Sequence, residues 1–592
     1  MPAALNAPVT AAVVLIVVWL LATDRMAPAA AVLGGSITLM VLGVTTPQQA
    51  FAGFSNPAPI TVAALYVIAR AVDKTGALQP LVAGVLDSSR RGRRSLFRIL
   101  APTAGASAFL NNTPIVAMLA PQVADWADRR DQPASWYLMP ISFAAILGGT
   151  ITVIGTSTNL VVSGLLEATG QPPIGMFEIT PVGLPLAALG LGVMVLLAPL
   201  LLRDRRGVRQ QLEQDLREFV VDMIVEPGGP LPGRTVESAG LRNLQGVFLA
   251  QIQRDGETIA PAGPETVLHA GDRLAFVGRA NQIVDLQAIR GLRSAEHRHA
   301  ADFAEASEHT FFEAVVSGTS PLAGQTLKST GFRARYQAAV LAIHRSGERV
   351  HAKLGDVVLH AGDTLVLLAD HGFRDRWRDR ADFLLVSEMG GAPPVSTRKA
   401  WLVAAITAAV VIVAGAGLLP ILHASLIAAG ALILLRVLSP AEARAAVDLD
   451  VILVIAASFG LGAAIEVSGV AAFLAGGLIT AFEGLGPSGL LFGVVLSAVI
   501  CTEIITNNAA AVLIFPIAAA TAASAGLDIR PFAVALMFGA SASFLTPIGY
   551  QTNTMVYGPG GYRFFDYARL GLPLTLLMFI VVVLLVPRIW SF

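Results

Sequence analysis

Two pairs of adjacent amides stand where amides are costly. Asn111 and Asn112, followed by Thr113 and Pro114, lie in a stretch otherwise apolar enough for lipid. Asn507 and Asn508, followed by Ala509, do the same near the other end of the chain. A buried amide without partners is expensive in hydrocarbon. Asn can glue helices together by hydrogen bonds, but polar clusters inside a membrane mark functional sites by default. One pair in each half points to a polar site at a repeat interface. Two further polar breaks interrupt apolar runs, one at residues 155–159 and one at 546–553. Tips and breaks should converge.

Carbonyls freed at a break, with Asn and Thr oxygens, make a hard-oxygen cage suited to Na⁺. Amide N–H groups at helix N-termini suit an anion. Held together, the two charges neutralise each other and can cross together. Neither tip nor break contains Arg or Lys, so dipoles, hydroxyls, amides and co-bound Na⁺ must hold the anion. The expected anion contacts are Asn111, Asn112, Thr113, Asn507, Asn508, Ala509, Ser157 and Thr552. The expected Na⁺ ligands are Asn112, Gly155, Asn159, Asn508, Thr546 and Asn553. Glu503, beside the second tip, either couples a proton or cation or braces the hairpin. Asp73 and Glu466 sit at equivalent span ends and are expected to be structural.

The elements that position these residues are membrane spans. Of 592 residues, 54% are hydrophobic and 14% charged, with 41 basic against 41 acidic side chains; mean hydropathy is +0.66. That composition is a polytopic membrane protein, and zero net charge gives no pull towards nucleic acid. The single Cys501 excludes an intrachain disulfide framework. The run from Pro8 to Ala22 follows no basic residue and reads as a first span, not a cleaved signal. Spanning runs lie at about 8–23, 28–45, 57–72, 137–166 and 181–202, and again at 400–416, 420–438, 449–465, 531–557 and 570–590. Each Asn pair interrupts a further apolar stretch, at about 96–121 and 489–522, that reads as a re-entrant hairpin.

Correspondences between the halves keep an almost constant spacing. Thr46 matches Ser439 and Gly76 matches Gly469 at 393, Asn159 matches Asn553 at 394, and the Asn pairs match at 396. The loop before the first hairpin carries Arg90, Arg91, Arg93 and Arg94; its counterpart at 480–486 has no basic residue. The positive-inside rule therefore inverts one half relative to the other. Arg129, Arg130, Arg203, Arg205, Arg206, Arg563 and Arg569 all fall inside on this reading, and Arg530 alone falls outside. The expected fold is a mainly α polytopic protein of the cell inner (plasma) membrane. It is an inverted repeat of five spans plus one hairpin each, in residues 1–206 and 397–592.

Between the halves, residues 203–398 turn charged and rich in turns, and read as cytoplasmic. An internal repeat occupies them: Gly233, Thr235 and Gly240 recur as Gly324, Thr326 and Gly331, and His269 to Asp272 recurs as His360 to Asp363, all 91 apart. Alternating runs at 247–253, 274–277, 338–344 and 365–368 read as strands, with hairpin turns at Asp255 with Gly256 and Ser346 with Gly347. The expectation is two small α/β modules, 207–300 and 301–396. They resemble the C-terminal domain of regulators of potassium conductance, through the Gly-x-Thr-x-x-x-x-Gly opening and the His-Ala-Gly-Asp-x-Leu ending. That resemblance implies regulation by a small ligand, a nucleotide among the candidates. The nucleotide-binding glycine fingerprint that usually accompanies such a domain is absent. His269 and His360 either contact a ligand or, the favoured reading, shape the turn before a strand.

The tips and breaks together resemble the divalent anion/sodium symporters, carriers of dicarboxylates, citrate or sulfate. Asn111, Asn112 and Thr113 with Pro121 match the first hairpin of that family. Thr502, Glu503, Asn507 and Asn508 with Pro516 look like the second. Gly155, Thr156 and Asn159 match its first break; Thr546, Pro547 and Asn553 its second. Ala509 stands where the family pattern has Thr, and Ser157 and Thr158 where many relatives have proline. The resemblance implies Na⁺-coupled symport by an elevator movement, in a homodimer surrounded by membrane lipid. The central module pair points to the sulfate branch. A Na⁺/dicarboxylate symporter, a permease-like anion sensor and a ligand-gated cation channel are the alternatives. The channel lacks a Thr-Val-Gly-Tyr-Gly filter, and no enzyme motif stands out.

Overall fold

The computed structural model describes residues 5–23, 25–78, 93–128, 130, 132–204, 220–241, 247–254, 257–259, 262–278, 289, 291–298, 309–317, 320–345, 348–350, 352, 354–377, 380, 382–388 and 399–592. Arg90, Arg91, Arg129, Arg205, Arg206 and the turns at 255–256 and 346–347 lie outside them.

The first half folds as α1 (Asn6–Ala22), α2 (Pro28–Val41), α3 (Pro47–Ala50), α4 (Pro57–Thr75), α5 (Arg93–Ser107), α6 (Asn112–Asp128), α7 (Leu138–Gly149), α8 (Ser157–Ala168) and α9 (Thr180–Leu201). The second half gives α10 (Ala400–Gly415), α11 (Ile421–Leu434), α12 (Pro440–Ala446), α13 (Leu449–Val467), α14 (Val470–Phe482), α15 (Gly486–Ile504), α16 (Asn507–Ala525), α17 (Ile529–Ser541), α18 (Gln551–Tyr557) and α19 (Phe564–Ile589). Among the described residues, five helical stretches are long and apolar enough to cross a membrane, as a multi-pass protein requires. Helix α14 has no counterpart in the expected spans. It follows Val467 after a short turn in which Gly469 takes φ 81°, and it turns Phe473 outward, 81% exposed.

Local chemistry repeats with the elements. Thr46 and Gln49 form a capping box at α3, and Ser439 and Glu442 form the same box at α12. Packing is reciprocal as well. Helix α2 lies on α13 and α11 on α4; α16 lies on α8 and α6 on α18. Each of these helices thus meets the other half's partner element.

Helices α9 and α19 pack side by side and run antiparallel. Past the end of α9, the Arg203 carbonyl accepts from Ser135 Oγ at 2.9 Å. The Ser135 carbonyl in turn accepts from the Tyr562 hydroxyl at 2.5 Å, just ahead of α19. At the opposite face Trp590, ending α19, donates its indole N–H to Glu178, which precedes α9, at 3.2 Å. Helix α6 runs towards the Arg203 face and α16 towards the Glu178 face, and both begin between the two.

The central region holds two five-stranded antiparallel sheets. Strands β1 (Val220–Val225), β2 (Val247–Arg254), β3 (Glu257–Ile259), β4 (Arg273–Gly278) and β5 (Leu292–Arg298) take the order β3-β2-β4-β1-β5. Strands β6 (His309–Val316), β7 (Ala338–Arg345), β8 (Glu348–Arg349), β9 (Thr364–Asp370) and β10 (Phe383–Glu388) take the same order read in reverse, β10-β6-β9-β7-β8. Strands β2, β3, β4 and β5 begin 91 residues before β7, β8, β9 and β10. Helix is sparse here: among the described residues it is confined to Phe332–Tyr336, Phe373–Trp377 and one 3₁₀ turn. The motif glycines are explained by backbone conformation. Gly233, Gly240 and Gly271, with Gly324, Gly331 and Gly362, all take φ between 57° and 87°, where a Cβ is strained.

Candidate anion and sodium site

Both hairpins close through the same contact. Ser107 Oγ, in the last turn of α5, donates to the Ala145 carbonyl at 2.8 Å. Thr502 Oγ1, near the end of α15, donates to the Ala540 carbonyl at 2.8 Å. These pairs are 395 apart, as are the helix starts Asn112 and Asn507. The tip register is therefore 395, not the 396 that aligning the two Asn doublets suggests. Asn112 corresponds to Asn507, Thr113 to Asn508, and Asn111 to Thr506. Ala509 is one residue deeper, buried in an apolar cluster with Leu461 and Leu513.

Both breaks are also built alike. Asn159 Nδ2 donates to the carbonyls of Gly149 at 3.2 Å and Thr152 at 3.0 Å. Asn553 Nδ2 donates to those of Ser543 at 2.8 Å and Thr546 at 3.2 Å. Each Asn thus satisfies carbonyls that the broken helix leaves open. Thr152 Oγ1 donates to the Ala108 carbonyl and Thr546 Oγ1 to the Glu503 carbonyl at 3.3 Å, tying each break to its own hairpin.

The halves then interlock. Ser157 Oγ, opening α8, donates to Asn508 Oδ1 at 3.1 Å, and Thr158 Oγ1 to the same oxygen at 3.2 Å. Asn507 Nδ2 donates to Thr158 Oγ1 at 2.7 Å. In mirror fashion Thr113 Oγ1, in α6, donates to Gln551 Oε1, opening α18, at 3.3 Å. Thr552 Oγ1 and Asn553 Oδ1 accept from Ser142 Oγ of α7 at 2.8 and 2.7 Å. The Asn112 amide lies 2.6 Å from both Ser107 Oγ and the Tyr550 hydroxyl. The orientation that satisfies every partner turns Nδ2 to Ser107 Oγ, the Ala145 carbonyl and the Gly155 carbonyl, and Oδ1 to Tyr550. Asn111 is placed beside Tyr66 on α4, which itself neighbours Tyr550.

The N-termini of α6, α8 and α16 meet here, and those of α8 and α16 carry no side-chain cap. Their first amides and dipoles favour an anion. Oxygens suited to a cation are present too. Among the described residues, Asn159 Oδ1, Ser543 Oγ and Glu503 Oε2 are buried without hydrogen-bond partners, a costly state that a bound cation would relieve. Glu503 Oε1 accepts from the Leu545 amide at 2.7 Å, so this carboxylate braces the break with one oxygen and leaves the other open.

Several contributors escaped the sequence reading. Ser107 is a lone hydroxyl in an apolar helix; its one signal is that Thr502 stands 395 residues later. Ser142 gave none. Tyr550 lies in the second break, 394 residues after Thr156, but reads as an aromatic packing residue. In the modules the His269 and His360 side chains are exposed. The turns are held by Asp272 and Asp363, which accept from the His269 and His360 amides at 2.7 and 2.8 Å. Both also take bidentate bonds from Arg254 and Arg345.

A family described as citrate transporter matches residues 16–539. The chain is 37% identical over 563 residues to a protein of Chlamydomonas reinhardtii described as a sulfur deprivation response regulator, covering 93% of this chain and 96% of that one. It is 37% identical over 573 residues to an uncharacterized transporter of Synechocystis, covering 94% and 92%. It is 25% identical over 755 residues to sodium/sulfate cotransporter 1 of Chlamydomonas reinhardtii, covering 91% and 84%.

Proposed function

This chain belongs to the citrate transporter family, and from that premise we propose that it is a Na⁺-coupled symporter of a divalent anion, sulfate. The carrying observation is the meeting of both tips and both breaks in one polar cluster without a cationic side chain. A tetrahedral dianion with four acceptor oxygens suits such a ring of N–H groups, hydroxyls and amides. The anion takes Asn112, Thr113, Asn507, Asn508, Ser157 and Thr552 as its contacts. Na⁺ takes the oxygens around Asn112, Gly155 and Asn159 and, in the other half, around Asn508, Thr546 and Asn553. Na⁺ coupling and sulfate are both named in the sodium/sulfate cotransporter that the chain resembles.

The halves act as inverted repeats. The antiparallel course of α9 and α19 and the reciprocal packing support this. The hairpins and breaks, tied by the recurring bonds above, move as one body against a scaffold of α1, α2, α4, α10, α11 and α13, in an elevator movement within a homodimer. The Arg203 and Arg563 face is cytoplasmic, in the cell inner membrane.

Regulation enters through the second module. A Cβ at Gly558, just after α18, would collide with the Thr364 side chain, and one at Gly362 would touch Thr554 of α18 at 3.5 Å. At the corresponding Gly271 of the first module, no described residue lies within 4 Å of that position. A ligand of the modules can act only by differential affinity for the transporter's states.

An anion sensor is the second reading, favoured by the relative described as a response regulator. Uptake of radiolabelled sulfate into proteoliposomes, competed by succinate, citrate, thiosulfate and phosphate, separates them. Sulfate uptake driven by an inward Na⁺ gradient is expected. Succinate uptake without sulfate uptake makes it a dicarboxylate carrier, and binding without uptake makes it a sensor.

A further inference from the structure

The two breaks agree in the bonds that Asn159 and Asn553 make, and among the side chains that differ between them one pair stands at the centre. Thr156 and Tyr550 are equivalent residues, 394 apart. Both immediately precede the helix that resumes after the break, with φ, ψ of −140°, 146° and −141°, 135°. Their hydroxyls meet each other at 3.1 Å, so the relation between the halves passes between them. One half places a small side chain at this junction and the other a phenol. The Tyr550 ring is 7% exposed, and its hydroxyl reaches across to Asn112. The equivalent Asn507 donates to Thr158 and also lies within reach of the Tyr550 hydroxyl. There is little slack around the ring's partners: a Cβ at Gly149 would stand 2.7 Å from the Asn112 side-chain amide.

We propose that Tyr550 is the specificity-determining residue of the site, its ring standing where the other half places the smaller Thr156 and so limiting the site to a compact dianion. Two small residues at the junction would leave room for a carbon chain between two carboxylates. This inference rests on the anion-transport reading above.

The test is sulfate uptake into proteoliposomes, competed by succinate and citrate, for wild type, Tyr550→Thr, Tyr550→Leu and Tyr550→Phe. Tyr550→Thr reproduces the residue of the other half; Tyr550→Leu shortens the side chain without adding a hydroxyl and serves if the Thr variant does not fold. In wild type, sulfate is expected to be carried and succinate to compete poorly. In both shortened variants succinate should compete better relative to sulfate by about tenfold or more, the scale on which pocket size discriminates. Tyr550→Phe keeps the ring, so the ranking should hold while the sulfate KM rises through loss of the Asn112 bond. If the shortened variants still carry sulfate with the wild-type ranking, the inference is overturned and the transport reading stands. If Tyr550→Phe alone admits succinate, the hydroxyl and not the ring sets the size, and the inference is overturned. If wild type carries neither anion, the transport reading falls and this inference with it.

Discussion

Arg530 is the cation that the positive-inside reading leaves on the outer face, and it is paired where it stands. Its guanidinium makes a bidentate pair with Glu178 at 2.7 and 2.8 Å and reaches the Pro172 carbonyl at 3.0 Å. The side chains are 20% and 25% exposed. Burial alone would raise the Glu178 carboxyl, but the bonds from Arg530, the Gly175 amide and Trp590 hold it below its ordinary value of 4.5. A carboxyl depressed on folding contributes stability above its unfolded value and loses it as pH falls through the folded one. Glu178→Gln should therefore cost about 1.5–3 kcal/mol at neutral pH, read as a lower unfolding temperature in detergent. The gap to wild type should close as pH drops below 4.5; a gap indifferent to pH would refute the assignment. At this scale the Asn doublets were legible because amides stand out in an apolar run. Ser107 and Tyr550 were not, since a single hydroxyl or aromatic looks like packing. The doublets also misled: matching Asn to Asn gave 396, while the helix starts and the Ser107 and Thr502 bonds set 395.

At the scale of elements, each break is held by a glycine against the tip. A Cβ at Gly155 would stand 2.6 Å from the Gly149 carbonyl and 2.8 Å from that of Ser107. One at Gly549 would stand 2.6 Å from the Thr502 carbonyl and collide with Ser543. Gly155→Ala and Gly549→Ala should each cost about 1–3 kcal/mol through overpacking. Gly476→Ala, with nothing within 4 Å of its Cβ, is the control in the same melts. Equal melting of all three would show that the breaks have room to spare. The interruption of both apolar runs was readable from Gly, Thr and Asn together. Helix α14 was not, because its thirteen residues run into α15 with only a 3₁₀ turn between.

For the whole molecule, the contact of the second module with α18 places its sheet one short helix away from the proposed site. Gly558→Val puts a branched side chain where Thr364 lies. It should leave Na⁺-driven uptake present, with its maximal rate changed and the anion KM unchanged. A wild-type rate would make the contact mere packing. The module repeat was visible because its glycines are fixed by positive φ and recur at one spacing. The docking was invisible because Gly558 and Thr364 come from regions of different composition, and neither residue is unusual where it stands.

The most direct measurement is sulfate uptake into proteoliposomes with and without an inward Na⁺ gradient, for wild type beside Asn112→Ala and Asn507→Ala, each confirmed as monodisperse before reconstitution. A site shared between two equivalent tips predicts Na⁺-dependent uptake in wild type and its loss in both variants. Wild-type uptake in either variant, or sulfate uptake indifferent to Na⁺, would contradict it.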